Sequence, residues 1–86
     1  VVAPTPVVAL NRAVALAGVD GPAAGLAAVE ALDLDRYHLY HATRADLLVR
    51  LGRPDDATGA YEAALDLATN AAERRFLAGR LAVSRG

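Results

Sequence analysis

Residues 41–70, HATRADLLVRLGRPDDATGAYEAALDLATN, decide the fold of this chain. The apolar positions recur at helical spacing on both sides of a short break, which predicts two helices joined by a tight turn. Gly52 can adopt the left-handed conformation that ends a helix, and Pro54 is pre-set for the first turn of the next one. The stretch therefore predicts an antiparallel pair of helices.

The face that the two helices share combines small side chains with one aromatic ring. Two alanines, Ala57 and Ala64, lie opposite Ala45, so the helix axes can approach closely, and Tyr61 fills the space that remains. The residues predicted to pack in this pair and in its upstream equivalent are Ala13, Leu16, Ala45, Leu48, Gly52, Ala57, Tyr61 and Ala64.

An internal repeat extends the pattern to most of the chain. A shift of 32 residues superposes segment 12–32 on segment 44–64. Alanine matches arise easily by chance, but the match of Pro22 to Pro54 falls in the same turn of both copies. The identical pairs are Arg12/Arg44, Ala13/Ala45, Leu16/Leu48, Pro22/Pro54, Ala28/Ala60, Glu30/Glu62 and Ala31/Ala63. Two helix pairs followed by a last helix, residues 70–86, are therefore predicted.

Capping signals set the expected helix bounds. Thr5 is predicted to cap the first helix and Asp35 the third, and Asn70 with Glu73 has the spacing of a capping box that opens the fifth. A turn is expected over Gly18–Gly21. The predicted helices are Pro6–Ala17, Pro22–Leu32, Tyr37–Leu51, Pro54–Ala68 and a fifth helix whose inward residues are Phe76, Leu77 and Leu81, with the head of Arg80 extending to water.

The length, composition and charge of the chain limit the classes of protein to which it can belong. The chain has 86 residues, enough for one small domain, and is 55% hydrophobic but only 5% aromatic, which favours an all-α fold. A net charge of −1 provides no general attraction to nucleic acid or membranes. The absence of cysteine suits a cytoplasmic location, and no apolar run reaches the length of a membrane span.

Three small clusters of polar residues contain side chains that could bind a ligand or carry out catalysis. His38 and His41, three apart on a helix, could share a metal, but aromatic-rich packing explains them as well. The pair Asp55–Asp56 suits the positive end of a helix dipole, and Arg74–Arg75 could bind an acidic partner or face solvent. No nucleophile, base and carboxylate have the spacing of a catalytic triad. We therefore expect no enzymatic activity, no metal and no cofactor.

The pattern of small residues, turn glycine and aromatic resembles the tetratricopeptide repeat (TPR), although His41 and Thr69 replace the usual aromatic and proline. The resemblance implies that residues 1–86 are one TPR-like domain in which the first helix of each pair lines a ligand-binding groove. The surface expected to bind a partner consists of Val7, Leu10, Val14, Leu39, Asp46, Val49 and Arg50.

Four runs of sequence indicate a more specific family than TPR proteins in general. They are VVALNRAVA (7–15), YHLYHATRADLL (37–48), RLGR (50–53) and NAAERRFL (70–77). Together they resemble the C-terminal TPR-like extension of bacterial extracytoplasmic-function (ECF) RNA polymerase sigma factors. The regions that would bind promoter DNA and polymerase lie upstream in that family, so this chain reads as a piece of a longer polypeptide. No direct contact with nucleic acid is expected from it.

The resemblance implies a part in transcription initiation. The leading hypothesis is a regulatory protein-interaction domain whose partner is the upstream sigma regions of its own polypeptide, RNA polymerase, or both. The alternatives are an architectural or dimerising role and a small-ligand sensor near Tyr37, His38 and Tyr40. In the isolated chain, Val7, Leu10 and Val14 are expected to be exposed and to promote homodimer formation.

Overall fold

A computed structural model describes residues 5–85, with side chains through residue 84. Five α-helices and no strand form this part of the chain, which confirms the all-α class. The helices are α1 (Pro6–Asp20), α2 (Pro22–Glu30), α3 (His38–Arg50), α4 (Pro54–Leu67) and α5 (Ala71–Arg85). No helix within residues 5–85 is both long and apolar enough to cross a membrane.

Two glycines make the reversals between paired helices. Gly21 has φ +97° and is the single residue between α1 and α2, and Gly52 has φ +72° in the α3–α4 turn. Both values lie where residues with a Cβ are strained, so glycine is required. The Gly21 amide donates to the carbonyl of Ala17, which closes the last turn of α1.

Side-chain caps begin α1 and α5 as predicted. The Thr5 hydroxyl accepts a hydrogen bond from the Val8 amide at 3.2 Å. The Asn70 side chain accepts from the amides of Ala72 and Glu73 at 2.8 and 3.2 Å. These bonds satisfy amides that have no partner within their own helix. The Glu73 carboxylate bonds to His38 on α3 at 2.9 Å and not to the Asn70 amide, so only the Asn70 half of the predicted capping box forms and Glu73 links two helices.

Several predicted helix bounds were wrong. The predicted turn Gly18–Gly21 is helical as far as Asp20, because one residue of positive φ is enough to reverse the chain. Asp35 does not cap α3; the N-cap is Tyr37, and the Asp35 carbonyl instead accepts a bond from the His41 ring at 2.6 Å.

Hydrogen bonds between helices define their directions. The Ser84 hydroxyl donates to the carbonyl of Pro54 at 3.1 Å, which places the end of α5 beside the start of α4, so these helices are antiparallel. The bonds from α3 to α5 join His38 to Glu73 and Asp46 to Arg80, so those two helices run parallel. Each helix packs on the next one, and α1 also contacts α3. The odd-numbered helices consequently share one side of the molecule.

The core is built largely from alanine and leucine. Leu47 and Leu48, among the largest fully buried side chains, each contribute roughly 1.5–3 kcal/mol by burial. Of the predicted packing residues, Leu16 is only half-buried and Gly52 lies exposed in its turn. The buried residues are Leu10, Ala13, Ala17, Leu26, Val29, Ala45, Leu47, Leu48, Ala57, Ala60, Tyr61, Ala64, Ala68, Leu77 and Leu81.

The closest approach in the first helix pair occurs at Gly25. A Cβ built on this residue would overlap the Cβ of Ala17 and lie 3.1 Å from the carbonyl oxygen of Ala13. Gly25 is buried although it belongs to the interior of α2. The absence of a side chain there sets the distance between α1 and α2.

Phe76 is not an inward residue, contrary to the sequence prediction. It is 59% exposed, and the guanidinium of Arg80 lies 5.4 Å from its ring centre. Helix α5 packs mainly against α4, so only the stripe formed by Leu77 and Leu81 is covered. A side chain one position away from that stripe remains in water.

Candidate interaction surface

A groove of about 390 Å³ lies where α3, α4 and α5 meet. Its base is Tyr61, which is buried, and its rim combines valines with charged residues. The groove is therefore amphipathic, as are surfaces that bind polypeptide segments. The lining residues are Asp46, Val49, Arg50, Pro54, Tyr61, Arg80, Val83 and Ser84.

Asp46 is the polar centre of this groove. One of its carboxylate oxygens, Oδ1, accepts hydrogen bonds from the Tyr61 hydroxyl and, at 3.3 Å, from Nη2 of Arg80. These bonds join residues of α3, α4 and α5 at one atom. The carboxylate therefore holds the three helices in register at the groove.

The Tyr61 hydroxyl stays protonated and donates a hydrogen bond to Asp46 over the whole physiological pH range. Burial, followed by the hydrogen bond to Asp46 and the negative charge of that carboxylate, raises the pKa of Tyr61 to about 12; the charge of Arg80 opposes the shift. The phenol is consequently neutral and remains a donor. It orients the carboxylate and performs no proton transfer at neutral pH.

The rim offers both apolar area and positive charge. Val49 and Val83 are 49% and 79% exposed. Arg50 is exposed and has no ion-pair partner among residues 5–85, whereas Arg80 shares Asp46. Two arginines and one carboxylate leave the groove with one excess positive charge, which favours a partner that presents apolar side chains beside a carboxylate.

The surface continues from α3 to α1. A smaller pocket of about 90 Å³ is lined by Val14 of α1 and by Thr43, Asp46, Leu47 and Arg50 of α3. Asp46 and Arg50 belong to both pockets, so the two are continuous. We call this surface the odd-helix face; it consists of Val14, Thr43, Asp46, Val49, Arg50, Arg80 and Val83.

The structure brings together part of the surface expected from sequence. Val14, Asp46, Val49 and Arg50 lie on the odd-helix face, and Val7 is exposed on α1.

Two residues of the expected surface lie elsewhere. Leu10 is 4% exposed and belongs to the core, so its place on the surface was wrong. It points into the bundle because α1 is covered by α2 and α3 together. Leu39 is half-buried and packs against the core.

The contribution of α5 to this face was missed. Arg80 was expected only to extend to water, and Val83 and Ser84 were not considered. A shift of 34 residues places Arg80, Val83 and Ser84 on Asp46, Val49 and Arg50, but only Val83 matches its equivalent. The sequence therefore held no clear signal that α5 contributes to this face.

The other clusters considered for chemistry have structural partners. The rings of His38 and His41 bond to Glu73 and to the Asp35 carbonyl, respectively. Nη1 of Arg74 donates to the carbonyls of Leu65 and Ala68 at 2.7 and 2.9 Å, which caps the end of α4. Within residues 5–85 no three histidine, cysteine or carboxylate side chains form a group that could hold a metal ion.

A small cavity lies beside His38, in the region considered for ligand sensing. It measures about 50 Å³ and is lined by His38, Leu39, Ala42, Glu73, Phe76 and Leu77. Pockets that bind small molecules usually measure roughly 300–1,000 Å³. The cavity beside His38 is therefore well below the size of a usual small-molecule site.

Comparison with known proteins finds a similarity to an uncharacterized protein of Rhizobium meliloti (strain 1021). The two sequences are 49% identical over 76 residues, which cover 86% of this chain and 18% of that relative. The chain thus spans less than a fifth of the length of the protein it matches. No protein-family model matches the chain, and no solved structure matches it.

Proposed function

We propose that this chain is a TPR-like helical-repeat domain that binds a protein segment on its odd-helix face. The observation that carries the proposal is the face itself: exposed valines surround the Asp46–Arg80 pair, and Arg50 stands beside them without an ion-pair partner among the described residues. Exposed apolar area beside fixed charge is typical of protein-binding surfaces.

The repeat assignment is supported by packing at matching positions of the two copies. Ala13 and Ala45, which the 32-residue shift superposes, are both buried, as are Val29 and Tyr61. The positive φ at Gly52 and the Pro54 that follows it agree with the turn of such a repeat. Helices α1 and α3 would then be the first helices of two repeats, and α5 would cover the second.

We further propose that the domain belongs to a bacterial ECF-type sigma factor and acts in transcription initiation in the cytoplasm. The support is the resemblance carried by segments 7–15, 37–48, 50–53 and 70–77. The expected partner is the sigma region of the same polypeptide or RNA polymerase. The domain would regulate through this contact and would itself touch no DNA.

The test is a pull-down of the chain against the sigma regions and, separately, against core RNA polymerase. The Val49→Asp variant places a charge at the centre of the face and should weaken binding by at least about tenfold, since removal of a central contact costs about 1.4 kcal/mol or more. Val19→Asp is the matched control, because Val19 is 83% exposed at the far end of α1. It should bind as the wild type does.

Capture of the sigma regions would indicate control within one polypeptide, and capture of polymerase alone would indicate an additional anchor. Failure to bind either one would contradict the proposal. A second assay deletes the domain from the full-length factor and measures promoter-dependent transcription. Unchanged transcription per folded molecule would also contradict it.

An architectural or dimerising role is the alternative. The observation that favours it is the row of exposed apolar side chains on α1, where Val7, Val8 and Val14 are each more than two-fifths exposed. In this case deletion would lower the stability of the protein or change its oligomeric state, and activity per folded molecule would be unaltered.

A further inference from the structure

A second groove lies between α1 and α2. It measures about 310 Å³ and is almost entirely apolar. Arg12 is its one charged residue and is exposed, with no ion-pair partner among residues 5–85. The lining residues are Ala9, Arg12, Ala13, Leu16, Ala28 and Leu32.

Several of the equivalent residues in the second repeat are more deeply buried. The 32-residue shift maps the six lining residues, in order, to His41, Arg44, Ala45, Leu48, Ala60 and Ala64. Leu48, Ala60 and Ala64 are buried, whereas their equivalents Leu16, Ala28 and Leu32 are only half-buried. The same kind of surface is thus covered in one copy and open in the other.

Helix α2 and the connector after it pack on the α3 side of this equivalent surface. Nε of Arg44 donates to the carboxylate of Glu30 at 2.9 Å, across a separation of 14 residues. The His41 ring bonds to the Asp35 carbonyl of the connector. Arg12 is the equivalent of Arg44, and it lacks the carboxylate that Arg44 receives from α2.

We propose that the α1–α2 groove receives a helix of the same polypeptide that directly precedes Val1. The occupant has the chemistry of α2: a stripe of small and branched apolar residues, and a carboxylate that pairs with Arg12. The spacing of Glu30 and Arg44 places this carboxylate about 14 residues before Arg12. This inference concerns a face separate from the odd-helix face; it rests on the proposed repeat and not on the proposed partner or sigma-factor role.

The position of the occupant follows from the order of the chain. Under the same shift Thr5 corresponds to Tyr37, and these two residues are the N-caps of α1 and α3. The helix that corresponds to α2 therefore falls upstream of Val1. The relative from Rhizobium meliloti is several times longer than the matched segment, so such a polypeptide has room for this helix.

Cysteine labelling can test the proposal, because residues 1–86 contain no cysteine of their own and mass spectrometry of the labelled peptide follows the introduced thiol in either protein. Ala28→Cys places a thiol in the groove, and Ala27→Cys places one on the neighbouring exposed position of the same helix. The labelling rate of each variant is compared in residues 1–86 and in the full-length polypeptide, with circular dichroism to verify that both fold. The full-length protein should slow labelling at position 28 by about tenfold or more and leave position 27 unchanged.

Equal labelling of position 28 in the two proteins would overturn the proposal. Protection that appears only at high protein concentration would also overturn it, because a second copy would then be the occupant. A second measurement uses Arg12→Glu with Arg75→Glu as the control for a charge change on an exposed helix surface. Arg12→Glu should lower the Tm of the full-length protein more than Arg75→Glu does, and equal effects would contradict the pairing.

Discussion

Small residues determine how closely the helices of this chain approach one another. In the first pair, Gly25 lies directly against Ala17 and the backbone of Ala13, and in the second pair the corresponding residue is Ala57, which is completely buried. The two helix pairs thus differ by one methyl group at this contact position. Because interiors are close-packed, neither position can accept a larger side chain without movement of a helix.

The Gly25→Ala variant should be destabilised by about 1–3 kcal/mol, because the added methyl group overlaps Ala17 and forces α1 and α2 apart. Gly59→Ala is the matched control: it lies within α4, with no atom within 4 Å of the added Cβ. That variant should gain about 0.5–1 kcal/mol from helix propensity. Urea unfolding measures both, and a Gly25→Ala protein as stable as Gly59→Ala would contradict the packing described.

Burial of Tyr61, together with its hydrogen bond to Asp46, should make stability fall at alkaline pH. Because the pKa of Tyr61 rises from 10 to about 12 on folding, its contribution is complete below pH 10 and is lost as the pH rises towards 12. Below pH 10 the Tyr61→Phe variant should be less stable by about 0.5–1.5 kcal/mol, the usual worth of a hydrogen bond.

The difference in free energy of unfolding between wild type and Tyr61→Phe, measured by urea titration at a series of pH values, should shrink between pH 10 and 12. Tyr40→Phe is the control for loss of one phenol elsewhere on the chain. If the Tyr61→Phe difference is independent of pH across this interval, the hydrogen bond does not have the role assigned to it.

At the scale of helices, caps and turns determine where each helix begins and ends, and most of them act locally along the sequence. Thr5, Asn70 and the two glycines of positive φ act within a few residues of their own position, so the sequence pattern is sufficient to find them. Arg74 is different, because its guanidinium caps the end of α4 from within α5. A cap supplied by another helix has no local spacing signal.

The Asn70→Ala variant should lose about 0.5–2 kcal/mol of stability, since two amides at the start of α5 lose their acceptor. Asn11→Ala, in the middle of exposed α1 surface, is the control and should change stability by less than about 0.5 kcal/mol. Hydrogen exchange should show faster opening at the start of α5 in the first variant only. Equal exchange in the two variants would mean that α5 does not depend on this cap.

For the whole molecule, the exposed valines of α1 predict self-association of the isolated chain. Val7, Val8 and Val14 offer apolar area that a second copy can cover. The apparent mass from light scattering should rise with protein concentration, and Val14→Asp should shift the rise to higher concentration, while Val19→Asp should not. A chain that stays monomeric at every concentration would refute this prediction.

Sequence patterns alone were enough to predict the all-α class, the five helices and the buried residues Ala45, Leu48, Ala57, Tyr61 and Ala64 of the second helix pair. These features depend on spacing along one chain segment, on glycine at the turns and on side-chain caps, all of which act over a few residues. Only the tertiary structure decided that Leu10 is buried, that Phe76 is exposed, and that Asp46 joins Tyr61 and Arg80 at one groove. The physical reason is that burial and pairing of a helical side chain depend on which other helices cover its face, and α1 and α5, at the two ends of the bundle, are covered on fewer sides than α3.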